Sequence, residues 1–199
     1  MEYALVGWPE DGPQIRLDHR EFSYAGKFVM SNTGKAVARD GTDAPPRDEL
    51  GGDDDSGDRD WIEDDRIAAA VAFNEDRTDA ATAWLRYVTV RNDRRGEGIG
   101  ARLSGFATRR LRERGYDRVK IAVNNAFAYH ALHKAGFGYT GDQTGLAELV
   151  LVVPAERTAA EYRAGLDVYR ERDDLAPEER EFLSAKAGEG PPDVISVPE

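Results

Sequence analysis

The stretch from Tyr87 to Leu103 leaves the chain few choices of fold. It opens on the run Val88, Thr89, Val90, passes through a loop carrying Arg91, Arg94 and Arg95, and places glycines at the alternate positions Gly96, Gly98 and Gly100. From there Ile99, Leu103, Phe106, Ala107 and Leu111 recur at helical spacing, with Gly115 where a C-terminal cap belongs. The order predicted is strand, glycine loop, helix. Backbone amides approach an anion only where no Cβ intervenes and unusual φ values are allowed, and these glycines meet both conditions. The unpaired N–H groups and the positive end of the helix dipole then face the loop, which suits a diphosphate.

Three phosphate loops compete for these residues. The ATP-type loop needs a Gly-Lys-Ser/Thr ending, and no lysine lies between Lys35 and Lys120. The dinucleotide fingerprint is met in loosened form by Gly96, Gly98 and Ala101, but five residues separate Val90 from Gly96, too many for its tight turn. Nor does an acidic residue end the next strand, Val119 to Val123; Asn124 stands there. The third pattern is Arg-x-x-Gly-x-Gly, here Arg95, Gly98 and Gly100 after a strand ending in Val90. It closely resembles the acyl-CoA loop of the GNAT superfamily of N-acetyltransferases.

Charge supports an anion in the same place. The chain carries a formal −11, yet residues 86–120 hold eleven Arg or Lys against four acids. Arg94 and Arg95 are the candidate phosphate contacts, while Arg109, Arg112 and Arg114 read as an exposed basic helix face. Across the whole chain there are five lysines and twenty-two arginines, with acids spread through loops and helices. Such a surface stays hydrated in concentrated salt and suits a halophilic, haloarchaeal type of source, with an ordinary acidic protein as the alternative reading. It also disfavours attraction to nucleic acid or to an anionic membrane.

The absence of cysteine excludes disulfides, thiolate metal sites and catalysis by a protein thiol, and no histidine pattern suggests a metal. No apolar run approaches a membrane span and the N-terminus lacks a leader pattern, so the expected compartment is the cytoplasm. The expected organisation is one domain over 1–153 and a helical extension with a loose tail over 154–199. Within the domain, residues 39–60 hold nine acids among Asp, Gly and Pro, and read as a solvated, mobile insertion.

Short strands are predicted at Tyr3–Val6 and Ile15–Leu17, and Lys27–Met30 with Lys35–Ala38 reads as a hairpin around Asn32-Thr33-Gly34. A weak helical signal covers Asp18–Tyr24. Strands at Arg66–Phe73 and Ala83–Val90 precede the glycine-loop helix. A strand at Val119–Val123, a helix at Asn125–Ala135 and strands near Tyr139–Gly141 and Leu146–Val153 follow it. Thr158 and Glu161 form a capping box for a helix to about Arg172, and Pro177 opens another. Gly188–Glu199 reads as loose.

The resemblance covers about residues 62–153 and implies an α/β (α+β) fold, a central mixed and mostly antiparallel sheet flanked by helices. It implies acetyl-CoA as co-substrate, an amine acceptor and a possible homodimer. The pantetheine arm would pair with the main chain of Val88, Thr89 and Val90. Arg94, Arg95, Gly96, Glu97, Gly98, Ile99, Gly100 and Ala101 would hold the diphosphate, with Asn125 opening the second cofactor-side helix. A carboxylate acting through water could serve as base. Glu63, Asp64, Asp65, Glu75 and Asp76 lie in loops toward the expected acceptor side, and Glu75 is the candidate carried forward. Aligned on Gly136-Phe137, Leu132 occupies the place of the tyrosine that protonates the leaving thiolate, and Tyr129, one turn earlier, is the candidate substitute. Two further readings stay open: a CoA-binding or regulatory protein without turnover, and a nucleotide-binding module.

Overall fold

The computed structural model describes residues 1–41, 61–145 and 148–197. Strands are β1 (Glu2–Gly7), β2 (Gln14–Ile15), β3 (Gly34–Arg39), β4 (Trp61–Ile62), β5 (Ile67–Glu75), β6 (Thr82–Val90), β7 (Arg118–Val123), β8 (Gly138–Thr144) and β9 (Glu148–Val153). Helices are α1 (Ile99–Glu113), α2 (Ala126–Lys134), α3 (Ala159–Arg170) and α4 (Pro177–Ala185). Hydrogen-bonded neighbours follow the order β1-β3-β5-β6-β7-β9-β8, and β2 pairs with β4. The chain divides into two compact units, Met1–Asn74 with Arg86–Ala107 and Glu75–Leu85 with Thr108–Val197, so β6 and α1 contribute to both. The mixed, mostly antiparallel sheet and the order of elements agree with the fold class expected from sequence.

In the first unit, β3 pairs antiparallel with β1 and with β5. Residues Ile67 to Phe73 of β5 are at most 1% exposed. Their run of alanines and valine suits a strand covered on both faces. Between β1 and β3 the chain is irregular but anchored, with Ile15, Phe22, Ala25 and Phe28 buried against Val37, Ala70 and Ala72, and Tyr87 packed alongside. The expected hairpin is not formed. Lys27–Met30 makes no strand, and Gly34–Arg39 pairs elsewhere. Instead, the fully buried Lys35 ammonium donates to the carbonyls of Met30 and Thr33, each at 2.8 Å, and folds the intervening turn onto itself. The helical signal at Asp18–Tyr24 reduces to one turn, closed by Phe22 N–H donating to the Asp18 carbonyl at 2.9 Å. Of the acidic insertion expected over residues 39–60, residues 42–60 lie outside the described residues.

In the second unit, β6 pairs parallel with β7 from Thr82↔Arg118 to Leu85↔Ile121, and β9 pairs antiparallel with β7 and β8. Helix α2 is capped by Asn125, and α3 by the Thr158–Glu161 box read from the sequence. Tyr129, Tyr162, Tyr169 and Leu166 are buried together, the Tyr129 and Tyr162 rings stacked at 5.7 Å. The segment expected to be loose after Gly188 is fastened as far as it is described. Ile195 N–H donates to the Lys134 carbonyl at 2.9 Å, and Arg157 Nη2 donates to the carbonyls of Pro192 at 2.6 Å and His133 at 2.7 Å. One backbone hydrogen bond and the Arg157 guanidinium hold that segment, and neither leaves a compositional signature in it.

His133 is expected to make this unit acid-sensitive. It is fully buried between the rings of Tyr129 (4.6 Å) and Tyr162 (4.7 Å), and neither ring nitrogen has a hydrogen-bond partner. Burial, helped by the Arg157 charge, pushes its pKa down to about 3. An unfolded histidine titrates near ~6.5, so below that pH the unfolded chain takes up a proton that the folded chain refuses, and stability falls toward pH 3. His133→Leu is therefore expected to flatten the loss of stability between about pH 6.5 and 4.5, measured as urea midpoint against pH. His130, pushed down to about 4 by burial, retains part of that loss in the variant. Equal slopes for wild type and variant would mean that His133 is not held neutral.

Candidate functional site

The glycine loop begins where β6 ends. Val90 closes the strand, Arg91 N–H still donates to the Ala68 carbonyl of β5 at 2.9 Å, and one 3-10 turn, Asn92–Arg94, leads into the loop. Gly96 and Gly98 adopt positive φ, +85° and +78°, so the backbone turns in a way that side-chain-bearing residues resist. Gly100, in the first turn of α1, passes so close to β6 that a Cβ there would lie 3.0 Å from Val90 Cγ2. The N–H groups from Arg95 to Ala101 have no hydrogen-bond acceptor among the described residues. A row of unspent donors at a helix N-terminus is an anion site in chemical terms.

Four arginines surround this row. Arg94 grips the Glu97 carboxylate with two hydrogen bonds of 2.9 and 3.0 Å and reaches Asp40 at 2.5 Å. Those bonds raise the Arg94 pKa and hold Glu97 below the usual carboxylate range. Arg91 pairs with Asp93 at 2.7 Å and lies 3.6 Å from Asp40. Arg95 donates to Ser23 Oγ at 2.7 Å and meets no carboxylate within ion-pair distance among the described residues. Arg102 donates to the Glu97 carbonyl at 3.0 Å and curls against Gly98. The sequence reading left Arg102 out of the site. Its signal was position: a cation in the first turn opposes the helix dipole, and no acid stands in that turn of α1. An anion in the loop resolves that conflict.

The strand residues named from sequence divide by exposure. Val88 and Val90 are half-buried, whereas Thr89 is 3% exposed and its hydroxyl has no partner among the described residues. The register with β7 stops at Leu85↔Ile121, and β6 runs on to Val90. Asn125 belongs to the second unit, where its side-chain Oδ1 accepts the Ala128 N–H at 2.8 Å and caps α2.

The two proposed catalytic side chains are placed for other work. Tyr129 is fully buried, and its hydroxyl donates to the Tyr162 carbonyl at 3.1 Å. Burial raises its pKa far above that of a free phenol. Its proton is committed to α3, so the geometry makes it a packing residue, and Leu132 is buried as well. Glu75 is the last residue of β5 and belongs to the second unit, where it acts on the Tyr116 hydroxyl, whereas the glycine loop belongs to the first. Asp76 is paired with Lys120. An open cleft of about 450 Å³ between Arg16–Phe22 and Glu63–Ile67 gathers several acids, but Glu63 pairs with Arg16 at 3.1 Å and Asp64 with Arg39 at 2.8 Å. Among the described residues no group of three metal-ligating side chains converges, and no helix is long and apolar enough to cross a membrane.

A family model described as "Acetyltransferase (GNAT) family" matches residues 19–137. Comparison with curated proteins returns no match. Among solved structures, a Bacillus subtilis acetyltransferase in complex with CoA is similar at 13% identity and a TM-score of 0.50, covering 78% of this chain and 99% of that one. Nourseothricin acetyltransferase is similar at 24% identity and a TM-score of 0.43, covering 62% of this chain and 66% of its own. The chain thus spans just under two thirds of that protein's length. An N-acetyltransferase from Staphylococcus aureus Mu50 is similar at 13% identity and a TM-score of 0.44, covering 61% and 67%. At these identities the likeness concerns the fold alone.

The loop conformation yields a prediction that needs no ligand. Adding a methyl at Gly98 forces an L-residue into left-handed space, at a cost of roughly 1–2 kcal/mol. Gly98→Ala is expected to lower the urea midpoint accordingly. Gly26→Ala, at ordinary φ with nothing within 4 Å of the added methyl, is expected to cost little or to stabilise. Equal losses would place the loop in another conformation.

Proposed function

We propose that this chain, which belongs to the acetyltransferase (GNAT) family, moves an acetyl group from acetyl-CoA to a primary amine by direct attack in a ternary complex. The observation that carries this reading is the row of unspent amides from Arg95 to Ala101 beside Arg95 and Arg102. A diphosphate accepts from several such amides at once and satisfies the dipole of α1. The pantetheine amides then pair with the main chain of Val88, Thr89 and Val90, along the part of β6 beyond its register with β7. Pairing through the main chain ignores side-chain identity. For that reason the glycines and arginines dominate the sequence signal.

The chemistry asks little of side chains. A thioester is already activated, and holding a neutral amine in line supplies much of the rate. The amine nitrogen forms a bond to the carbonyl carbon while a backbone N–H of β6 stabilises the developing oxyanion. The C–S bond then breaks, the sulfur leaves with the electron pair, and the amine loses a proton to water or to a carboxylate acting through water. A thiol of pKa about 8.5 leaves as thiolate without an enzymatic acid. The acceptor is a small-molecule or protein amine, and the acid-rich, lysine-poor surface suits work in concentrated salt.

A second reading is a CoA-binding protein without turnover, favoured by the buried Leu132 and by the Tyr129 proton committed to α3. Single-turnover transfer of labelled acetyl to a panel of amines separates the two. Acetyl-CoA is expected to raise the melting temperature in molar KCl, and a Gly98→Glu, Gly100→Glu double variant is expected to lose the shift. No shift in the parent would sink both readings.

Asp40 and Glu97 compete with the diphosphate for Arg94. Replacing either acid by its amide, Asp40→Asn or Glu97→Gln, is expected to tighten acetyl-CoA binding roughly two- to five-fold at low salt, the size of an exposed ion pair. The gain should fade in molar KCl as the charges are screened. Titration calorimetry at the two salt concentrations reads both effects, and weaker binding in the variants would show that the carboxylates assist the site.

A further inference from the structure

Tyr24 is the one non-glycine residue with positive φ among the described residues, at φ 61° and ψ 17°. For a bulky L-residue that conformation is strained, and strain of this kind persists only where the surroundings impose it. Here they do. Phe22 and Ala25 on either side are buried, and the segment before Tyr24 is sewn to the glycine loop by three hydrogen bonds. Asn92 N–H donates to the Glu21 carbonyl at 2.9 Å, Asn92 Nδ2 to the Arg20 carbonyl at 3.1 Å, and Arg95 Nη2 to Ser23 Oγ at 2.7 Å. The ring so presented is 55% exposed, so burial does not offset the strain. One side of it leans on Tyr87, with centroids 6.1 Å apart and planes at 38°.

Tyr87 immediately precedes Val88–Val90. On the acetyl-CoA reading above, on which this inference rests, an arm that starts from a diphosphate at Gly96–Gly100 and runs back along Val90 to Val88 brings its thioester toward Tyr87. An amine attacking there needs a surface for the part of it that does not react, and the exposed Tyr24 ring beside Tyr87 is such a surface. Its character is legible from a neighbour. The Lys27 ammonium lies 5.7 Å from the Tyr87 ring centroid, so one cation already occupies the ring face and a polycation is disfavoured. A flat uncharged group stacks instead, and a carboxylate on it would find Lys27. We propose that the exposed face of Tyr24, backed by Tyr87, is the acceptor platform and that the acceptor is a primary amine on a short chain attached to an aromatic ring.

Titration calorimetry with phenethylamine, in the presence of saturating CoA, tests this without turnover. Binding is expected in the wild type, within about two-fold in Tyr24→Phe, and at least ten-fold weaker in Tyr24→Ala. Spermidine is expected to bind no more tightly than phenethylamine. Tyr24→Gly removes the strain together with the ring, so it should lose phenethylamine binding while its melting temperature holds or rises. A fall beyond roughly 4 °C, the scale of about 1 kcal/mol in a chain this size, would make the ring structural and overturn the proposal. So would undetectable phenethylamine binding, binding indifferent to Tyr24→Ala, or a preference for spermidine. Adding acetyl-CoA to the same samples reads the acetyltransferase proposal separately. Tyr24-dependent binding without N-acetyl product refutes transfer and leaves the platform standing, while transfer indifferent to Tyr24 refutes the platform alone.

Discussion

The unspent amides between Arg95 and Ala101 are the constraint from which the rest of the first unit follows. Backbone N–H groups are strong donors, and a compact protein seldom leaves several adjacent ones unpaired unless water or a ligand takes them. Keeping them unpaired requires a loop that cannot fold back on itself. Positive φ at Gly96 and Gly98 turns the chain outward, and Gly100 locks the helix start against Val90. The loop is braced from outside by Asn92 and Arg95 on the Arg20–Ser23 segment. The donors are thus arranged before any anion arrives, which lowers the entropy lost when one does.

Charge around the loop follows from the same constraint. A cation in the first turn of α1 and three more in the approach would repel one another and the helix dipole, so the free protein answers them with Asp40, Asp93 and Glu97. These carboxylates do locally what a phosphate would do, at the cost of having to be displaced from Arg94. The arrangement explains how so basic a segment persists in a chain whose net charge is −11.

Legibility in the sequence tracked whether a feature is local. The glycine loop, α1, the cap of α2 by Asn125 and the box opening α3 are all decided within a few residues, and each appears where spacing and capping chemistry put it. The region between β1 and β5 is decided by distant partners. Lys27–Met30 and Lys35–Ala38 look like a hairpin because both are apolar runs around a turn signal. β3, however, finds β1 and β5 as neighbours, and the Lys35 ammonium consumes the turn's carbonyls. Helical periodicity put Tyr129 beside Asn125 correctly. What it could not supply is the Tyr162 carbonyl, thirty-three residues on, that takes the phenol's proton. Glu75 was chosen as a loop carboxylate toward the expected acceptor side, and the structure makes it the last residue of β5.

The C-terminal extension bears on the chemistry through that same tyrosine. Gly165 of α3 lies so close to the Tyr129 ring that a Cβ there would overlap the hydroxyl, at 2.2 Å. Any side chain at 165 would push α3 off α2. Tyr129 and Gly165 are therefore complementary, and the Tyr129 hydroxyl fixes α3 on α2. Leu132 is buried as well, so neither the position expected to hold the tyrosine nor Tyr129 presents a free hydroxyl. On the acetyl-transfer reading, a thiolate that departs on its own acidity leaves the rate to how the amine is held. That shifts the demand for precise geometry to β6 and to whatever packs beside Tyr87. Strain is stored there, at Tyr24, in a residue whose exposed ring gains little from burial and whose preceding segment, Arg20–Ser23, is hydrogen-bonded to Asn92 and Arg95 at the glycine loop.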